Sequence, residues 1–303
     1  YSSTNGIEWL INLLDDKEML SSKPRWLGAW ILFPIALGQL IYVFVQHPEA
    51  CPAGFRAIML GLRGSYMPSK PTYYTAEVPW PTGQDIMSAL KDTNASSQSS
   101  TFKSPLLMRQ PSQLSASLLK VYPVLASAHP AITKLSAALL HPEYRNGCTP
   151  FLKTISKNFK FVLKLLLPLS LLSNIIGQRY DILDLARSLG QALRTTIFAA
   201  LSSASAWASI ACSEIDVLNS IAPPIRYRLL GFLSGTWALL DSATGRARFL
   251  YIFRLALLSQ YNLATANGTR QLFRYDTSIT LALAYALCFG VLSASPEAVG
   301  SSL

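Results

Sequence analysis

Few side chains in this sequence stand at spacings that do chemistry. All 3 histidines precede a proline: His47-Pro48, His129-Pro130 and His141-Pro142. His47 and His141 each open a His-Pro-Glu run with a cysteine shortly after it, Cys51 and Cys148 respectively. Imidazole and thiolate are the usual donors to zinc, and two such pairs would complete a tetrahedral site. The simpler reading is that proline disfavours helix at the residue before it, so each His-Pro pair stops a helix. The cysteines then serve as small buried apolar residues. No metal or other cofactor is expected. Asp181 and Asp184 stand one helical turn apart, but Arg179 and Arg187 flank them, which describes a solvated face better than an acid–base pair. No HExxH, GxSxG or phosphate-binding glycine loop occurs, so no catalytic residue is expected and the chain reads as a non-enzyme.

Two ionisable residues interrupt apolar stretches. Lys164 stands near the start of its segment, where its stem can carry the ammonium to a polar boundary. Arg254 stands about two turns into its segment, where a charge is costly unless it is paired or lines a wet cavity. Asp241 or Glu214 would supply the pair. Arg254 facing a polar cavity is the functional alternative.

The element that must position Arg254 is the stretch Arg226–Arg254, an apolar helix, a turn at Asp241–Gly245 and a second apolar segment. Gly231, Gly235 and Ala238 fall on one face of the first helix and leave a groove where another backbone can approach. The Ala/Ser-rich segment Thr196–Ile215 is the expected partner, since small residues let helices pack closely.

The rest of the chain fits a membrane protein. Of its 303 residues 50% are hydrophobic and only 14% charged, against about 25% charged in soluble domains; mean hydropathy is +0.30. Trp26–Val45 carries no charge, has Trp26, Trp30 and Tyr42 near its ends, and is read as a span, as is Thr277–Ala294. Phe161–Ile176, Thr196–Ile215 and Arg226–Leu240 are expected to be embedded as well. The fold class expected is therefore all-α, a multi-pass integral membrane bundle of about four to six membrane-embedded helices. Thr4–Leu14 reads as a short amphipathic helix and Cys51–Gly64 as another. Residues 1–91 form an N-terminal part, 92–111 a disordered Ser-rich linker, and 112–303 the C-terminal helical domain.

The formal charge of +10 is spread along the chain, with no concentrated basic face, so nucleic acid is not an expected partner. Membrane lipids are, and protein partners or a second copy of the chain are the others. Four scattered cysteines without a CxxC do not suggest structural disulfides. Residue 1 is Tyr, which suggests a truncated or processed start, and the closing Ser-Ser-Leu lacks the central basic residue of a peroxisomal address.

Three blocks in this order resemble the transmembrane protein 135 family: GQLIYVFVQHPEACPAGFRAIML (Gly38–Leu60), HPEYRNGCTPFLKTISKNFKFVLKLLLPLSLL (His141–Leu172) and RYRLLGFLSGTWALLDSATGRARFLYIFRLAL (Arg226–Leu257). Gly147 stands where that pattern has Ser before the cysteine. The resemblance implies a multi-pass protein of the peroxisomal membrane, or second the mitochondrial membrane, similar in part to inner-membrane translocase channels. It implies a link to organelle organisation and lipid metabolism, and it carries over no catalytic residues. The function expected is a channel- or carrier-like membrane protein with a polar cavity beside Gly231 and Gly235; the alternative is a membrane scaffold that binds partners through its linker and basic loops.

Overall fold

The computed structural model describes residues 29–71, 74, 79–95, 116–176, 182–213, 221–242 and 245–266. The chain divides into two compact units, Ala29–Ser259 and a second made of Tyr1–Gly28 with Gln260–Leu303. Of the second, only 260–266 falls among the described residues.

Every regular element among the described residues is helical, so the fold is all-α. The order is α1 (Leu32–Gln46, entered through a 3-10 turn at Ala29–Ile31), α2 (Ala53–Gly61), α3 (Gly83–Ala95), α4 (Ala116–Lys120), α5 (Tyr122–Ala126) and α6 (Leu135–Leu140). Then follow α7 (Cys148–Ile176), α8 (Ile182–Ala211), α9 (Pro223–Gly235), a 3-10 segment (Thr236–Asp241) and α10 (Arg246–Ala266).

The apolar run of α1 makes it the centre of the unit, because a helix that is apolar all round must be covered all round. Leu40, Ile41, Val43, Phe44 and Val45 are fully enclosed. α9 lies along one side of α1, α8 touches both, and α7 packs beside α8. Two aromatic clusters fix these helices. Phe33, Phe198 and Phe249 from α1, α8 and α10 meet with ring centroids 5.0, 5.7 and 5.9 Å apart. Trp207 of α8, fully buried, stacks on Tyr66, meets Phe44 edge-on and donates its indole N–H to the Met59 carbonyl at 3.2 Å. Edge-on and offset contacts of this kind suit the ring quadrupoles.

Local chemistry explains the element ends. His47 closes α1 and His141 closes α6, with nearly the same backbone angles (φ −136, ψ 62 and φ −144, ψ 61). Each His carbonyl accepts from an amide three residues on, Ala50 and Tyr144 respectively. The His-Pro-Glu run is thus one helix-stop turn used twice, as proline's effect on the preceding residue dictates. At α3, Thr82 and Asp85 exchange amide and side-chain hydrogen bonds at 2.9 and 3.3 Å, a capping box.

Three expectations change. The Ala/Ser-rich stretch Thr196–Ile215 is not a separate span: it continues, up to Ala211, one helix, α8, that begins at Ile182, because nothing between Ile182 and Thr196 breaks helical backbone. α3 runs to Ala95, so the predicted linker 92–111 begins inside a helix; its remainder lies outside the described residues, as do Thr4–Leu14 and Thr277–Ala294. Among the described residues, no helix is long and apolar enough to cross a membrane. The reasons differ by helix. α1 has 15 residues and α9 has 13, lengths of about 22 and 20 Å at 1.5 Å per residue. α7 carries Lys153, Lys157, Lys160 and Lys164, and α8 carries Asp184, Arg187 and Arg194 before it turns to Ala and Ser.

Candidate functional site

The glycine face of α9 rests on α1. A Cβ at Gly231 would lie 2.8 Å from Gly38 Cα and 2.9 Å from the Leu37 carbonyl; one at Gly235 would lie 2.5 Å from Pro34 Cα; one at Gly38 would lie 2.6 Å from the Arg228 carbonyl. The two backbones therefore touch along two turns with no side chain between them. Ala238, one turn further on in the 3-10 segment, is also fully buried. The partner expected from the sequence was Thr196–Ile215. That helix, α8, also packs on α9 and meets it through Ser202, whose hydroxyl donates to the Ser234 carbonyl at 3.1 Å. The missed signal was in α1 itself, where Pro34 and Gly38 stand four apart and make the stripe that accepts α9.

Polar side chains stitch the same interior. Asn158 of α7 donates to the Ser203 hydroxyl at 2.9 Å and to the Leu62 carbonyl at 2.8 Å. Arg226 at the start of α9 is buried, and its Nη1 donates to the Ser213 carbonyl at 2.7 Å. Tyr227 donates to the Ser213 hydroxyl at 3.1 Å. Arg228 lies over the Tyr42 ring at 4.4 Å and donates to Gln39. The deepest charge is Asp241, 1% exposed at the end of the 3-10 segment. Arg248 donates to it at 2.5 Å and the Thr195 hydroxyl at 3.3 Å, so one carboxylate ties α8, the 3-10 segment and α10 together.

Arg254 is not the partner of Asp241. Arg248 takes that place because it lies on the first turn of α10, beside the carboxylate, whereas Arg254 is exposed further along the helix. Glu214 lies outside the described residues. Lys164 is exposed on α7. The polar cavity expected beside Gly231 and Gly235 is not found at that face, since α1 fills it.

The His and Cys residues do not converge either. The His47 ring hydrogen-bonds with the Tyr42 hydroxyl at 3.1 Å and lies 3.6 Å from Glu49. His141 is buried beside Tyr144, and burial holds its pKa below the ordinary imidazole value. Cys51 is buried and desolvation pushes its thiol up to about 11, against the opposing pull of Arg56. Cys148 is exposed. Among the described residues no group of three or more His, Cys, Asp or Glu could hold a metal ion. Asp184 pairs with Arg187 at 3.2 Å on an exposed face; Asp181 lies outside the described residues.

No known family model, curated protein or solved structure matches the chain. The site must therefore be read from its own surface. The outward feature of this unit is apolar. Beyond Val162 in α7 and before Thr195 in α8, no described side chain is buried. Yet this half of the hairpin carries Leu165, Leu167, Leu169, Leu171 and Leu172 on one helix and Ile182, Leu183, Leu185, Leu189 and Leu193 on the other, from 36% to 81% exposed. α9 and the 3-10 segment add Leu229, Phe232, Leu233, Trp237, Leu239 and Leu240. Along the contacts of α8 with α7 and α9 the buried residues include Thr195, Thr196, Ser202, Ser203 and Ser234, while the leucines of this half of the hairpin face outward.

Proposed function

We propose that this chain is a non-enzymatic membrane protein with a scaffolding or organising role, held in lipid by the outer half of the α7–α8 hairpin and the outer faces of α9 and the 3-10 segment. The observation that carries the reading is the exposed leucine surface. Burying one such side chain is worth about 1.5–3 kcal/mol. Ten left half-exposed in water forgo on the order of 10 kcal/mol, which rivals the whole stability of a domain. A lipid phase removes that cost. It also suits the interior, because helices in lipid associate through small residues and Ser/Thr hydrogen bonds. Lys160, Lys164, Arg187 and Arg194 stand among the leucines, where long stems let charges reach headgroups.

The scaffold role is favoured over a channel or carrier by one feature: the glycine seam that would border a cavity is closed backbone to backbone. The short α1 and α9 would sit among longer helices or in a locally thinned bilayer, since about 20 Å falls short of a ~30 Å core. The family resemblance favours the peroxisomal membrane, then the mitochondrial one.

Nitroxide labels on Leu169→Cys and Leu189→Cys test the surface in reconstituted bilayers. Oxygen should relax both labels more strongly than a water-soluble nickel chelate does. The opposite order at both positions refutes lipid contact, and protection from both reagents points to a protein cover instead. A tagged full chain scored against peroxisomal and mitochondrial markers tests the location.

A further inference from the structure

A hollow lies away from the leucine surface, among α1, α2 and α3. Its volume is about 290 Å³, and Phe44, Leu60 and Met87 supply apolar walls. That is close to the lower bound of about 300 Å³ for pockets that hold small ligands. Two charged residues line it, Arg56 and Glu49.

Their charges are not matched to each other. Glu49 is exposed and faces Lys91 at 3.3 Å and His47 at 3.6 Å; against the upward pull of burial, a backbone hydrogen bond, then the Lys91 hydrogen bond and the Lys91 and His47 charges, together hold its carboxyl below the ordinary range. Arg56 has no carboxylate partner among the described residues. Its Nη2 donates to the carbonyls of Pro48 and Cys51. Its buried Nε has no hydrogen-bond partner. A guanidinium held by backbone carbonyls keeps its full positive charge, and those carbonyls fix where it points. Such a cation in the wall of an apolar hollow selects a ligand with one anionic head and a hydrocarbon body. Nη2 already serves two carbonyls and Nε is buried, so a carboxylate would meet Arg56 through Nη1 in a charge-assisted hydrogen bond.

We infer that this hollow binds a medium-chain carboxylate, with the carboxylate against Arg56 and the chain between Phe44, Leu60 and Met87. The site does not rest on the membrane reading, because none of its lining residues belongs to the exposed leucine surface.

The test is equilibrium dialysis of radiolabelled decanoate against the purified full chain in amphipol, with empty amphipol as the background. Decanol serves as the uncharged probe. The wild-type chain should bind both at a single saturable site, decanoate more tightly. Arg56→Gln removes the charge and should weaken decanoate about tenfold or more, the usual scale for losing a charge-assisted hydrogen bond, with little change for decanol. Because Arg56 also holds two carbonyls, a second variant is needed that leaves it in place. Gln84→Glu sets a negative charge on an exposed residue of the rim. It should weaken decanoate severalfold and spare decanol. Met87→Trp should block both. Absence of saturable decanoate binding overturns the site, and so does binding that neither Gln84→Glu nor Met87→Trp alters.

Discussion

Adding one methyl group to α9 should break the seam, and adding the same group to α8 should not. At Gly231 the new Cβ would sit 2.8 Å from Gly38 Cα and 3.1 Å from Ile41 Cβ; at Gly235 it would sit 2.5 Å from Pro34 Cα. Carbon atoms are comfortable at about 3.5–4.0 Å. The atoms in the way are backbone and cannot rotate aside, so α1 and α9 must move apart by roughly 1 Å. Overpacking of this kind costs about 1–3 kcal/mol. Against it stands the helix propensity of Ala over Gly, about 1 kcal/mol in a helix interior. Gly231 lies inside α9, so its net loss is about 0–2 kcal/mol; Gly235 ends the helix, gains less from propensity, and should lose more. Gly190 is the control. It is exposed within α8 and a Cβ there meets nothing within 4 Å. Gly190→Ala should therefore stabilise by about 0.5–1 kcal/mol. Thermal unfolding followed by circular dichroism reads all three. The expected shifts are a few degrees down, somewhat more down, and a degree or two up, on the scale of about 2–4 °C per kcal/mol. Gly38→Ala combined with Gly231→Ala should cost less than the sum, since the first methyl has already parted the helices. Gly231→Ala and Gly235→Ala melting at or above wild type would falsify the backbone contact.

Three further outcomes follow from the interior. Arg248→Ala removes a cation bonded to the buried Asp241 carboxylate and should destabilise by more than about 1 kcal/mol, whereas Arg254→Ala, on an exposed face, should change stability by less than about 0.5 kcal/mol; equal melting shifts would show that Asp241 is not held by Arg248. Trp207→Ala empties the junction of Phe44, Tyr66 and Met59 and should cost about 3–5 kcal/mol, read by denaturant unfolding, with Trp207→Phe costing clearly less. Cys51, with its thiol raised to about 11 from 9.0, stays protonated in the native state where an unfolded chain would begin to ionise. The unfolded state then holds fewer protons above pH 9, so stability should fall as pH rises from 9 toward 11. At mildly alkaline pH, iodoacetamide should modify the exposed Cys148 well before Cys51, by peptide mass spectrometry; equal labelling rates in the folded chain would contradict the burial.

Much of the architecture could be read from the residues. The helical period of the leucines, the His-Pro stops and the four-residue spacing of Gly231 and Gly235 are local signals, and local signals survive into structure. The partner of the glycine face was not legible. Chain neighbours suggested Thr196–Ile215, but Pro34 and Gly38 lie nearly the whole fold away, and nothing local ties them to α9. Arg254 was singled out for standing in an apolar run, while Arg248 two turns earlier reaches Asp241. Sequence marks a costly charge but not which of several arginines faces inward. The hollow at Arg56 was equally hidden, because its walls come from three helices.

The distance along the chain between the two sides of the glycine seam also sets a timetable. Gln39 and Arg228, bonded across it, are 189 residues apart. At about 5–20 residues per second of synthesis, α1 waits roughly 10–40 s for α9 to emerge. For that interval its narrow Pro34–Gly38 stripe has no helix to meet, and it is the most apolar segment of the unit. A nascent chain of this kind needs a temporary companion for α1, and stalling translation just before Pro223 should leave α1 cross-linkable to whatever plays that part.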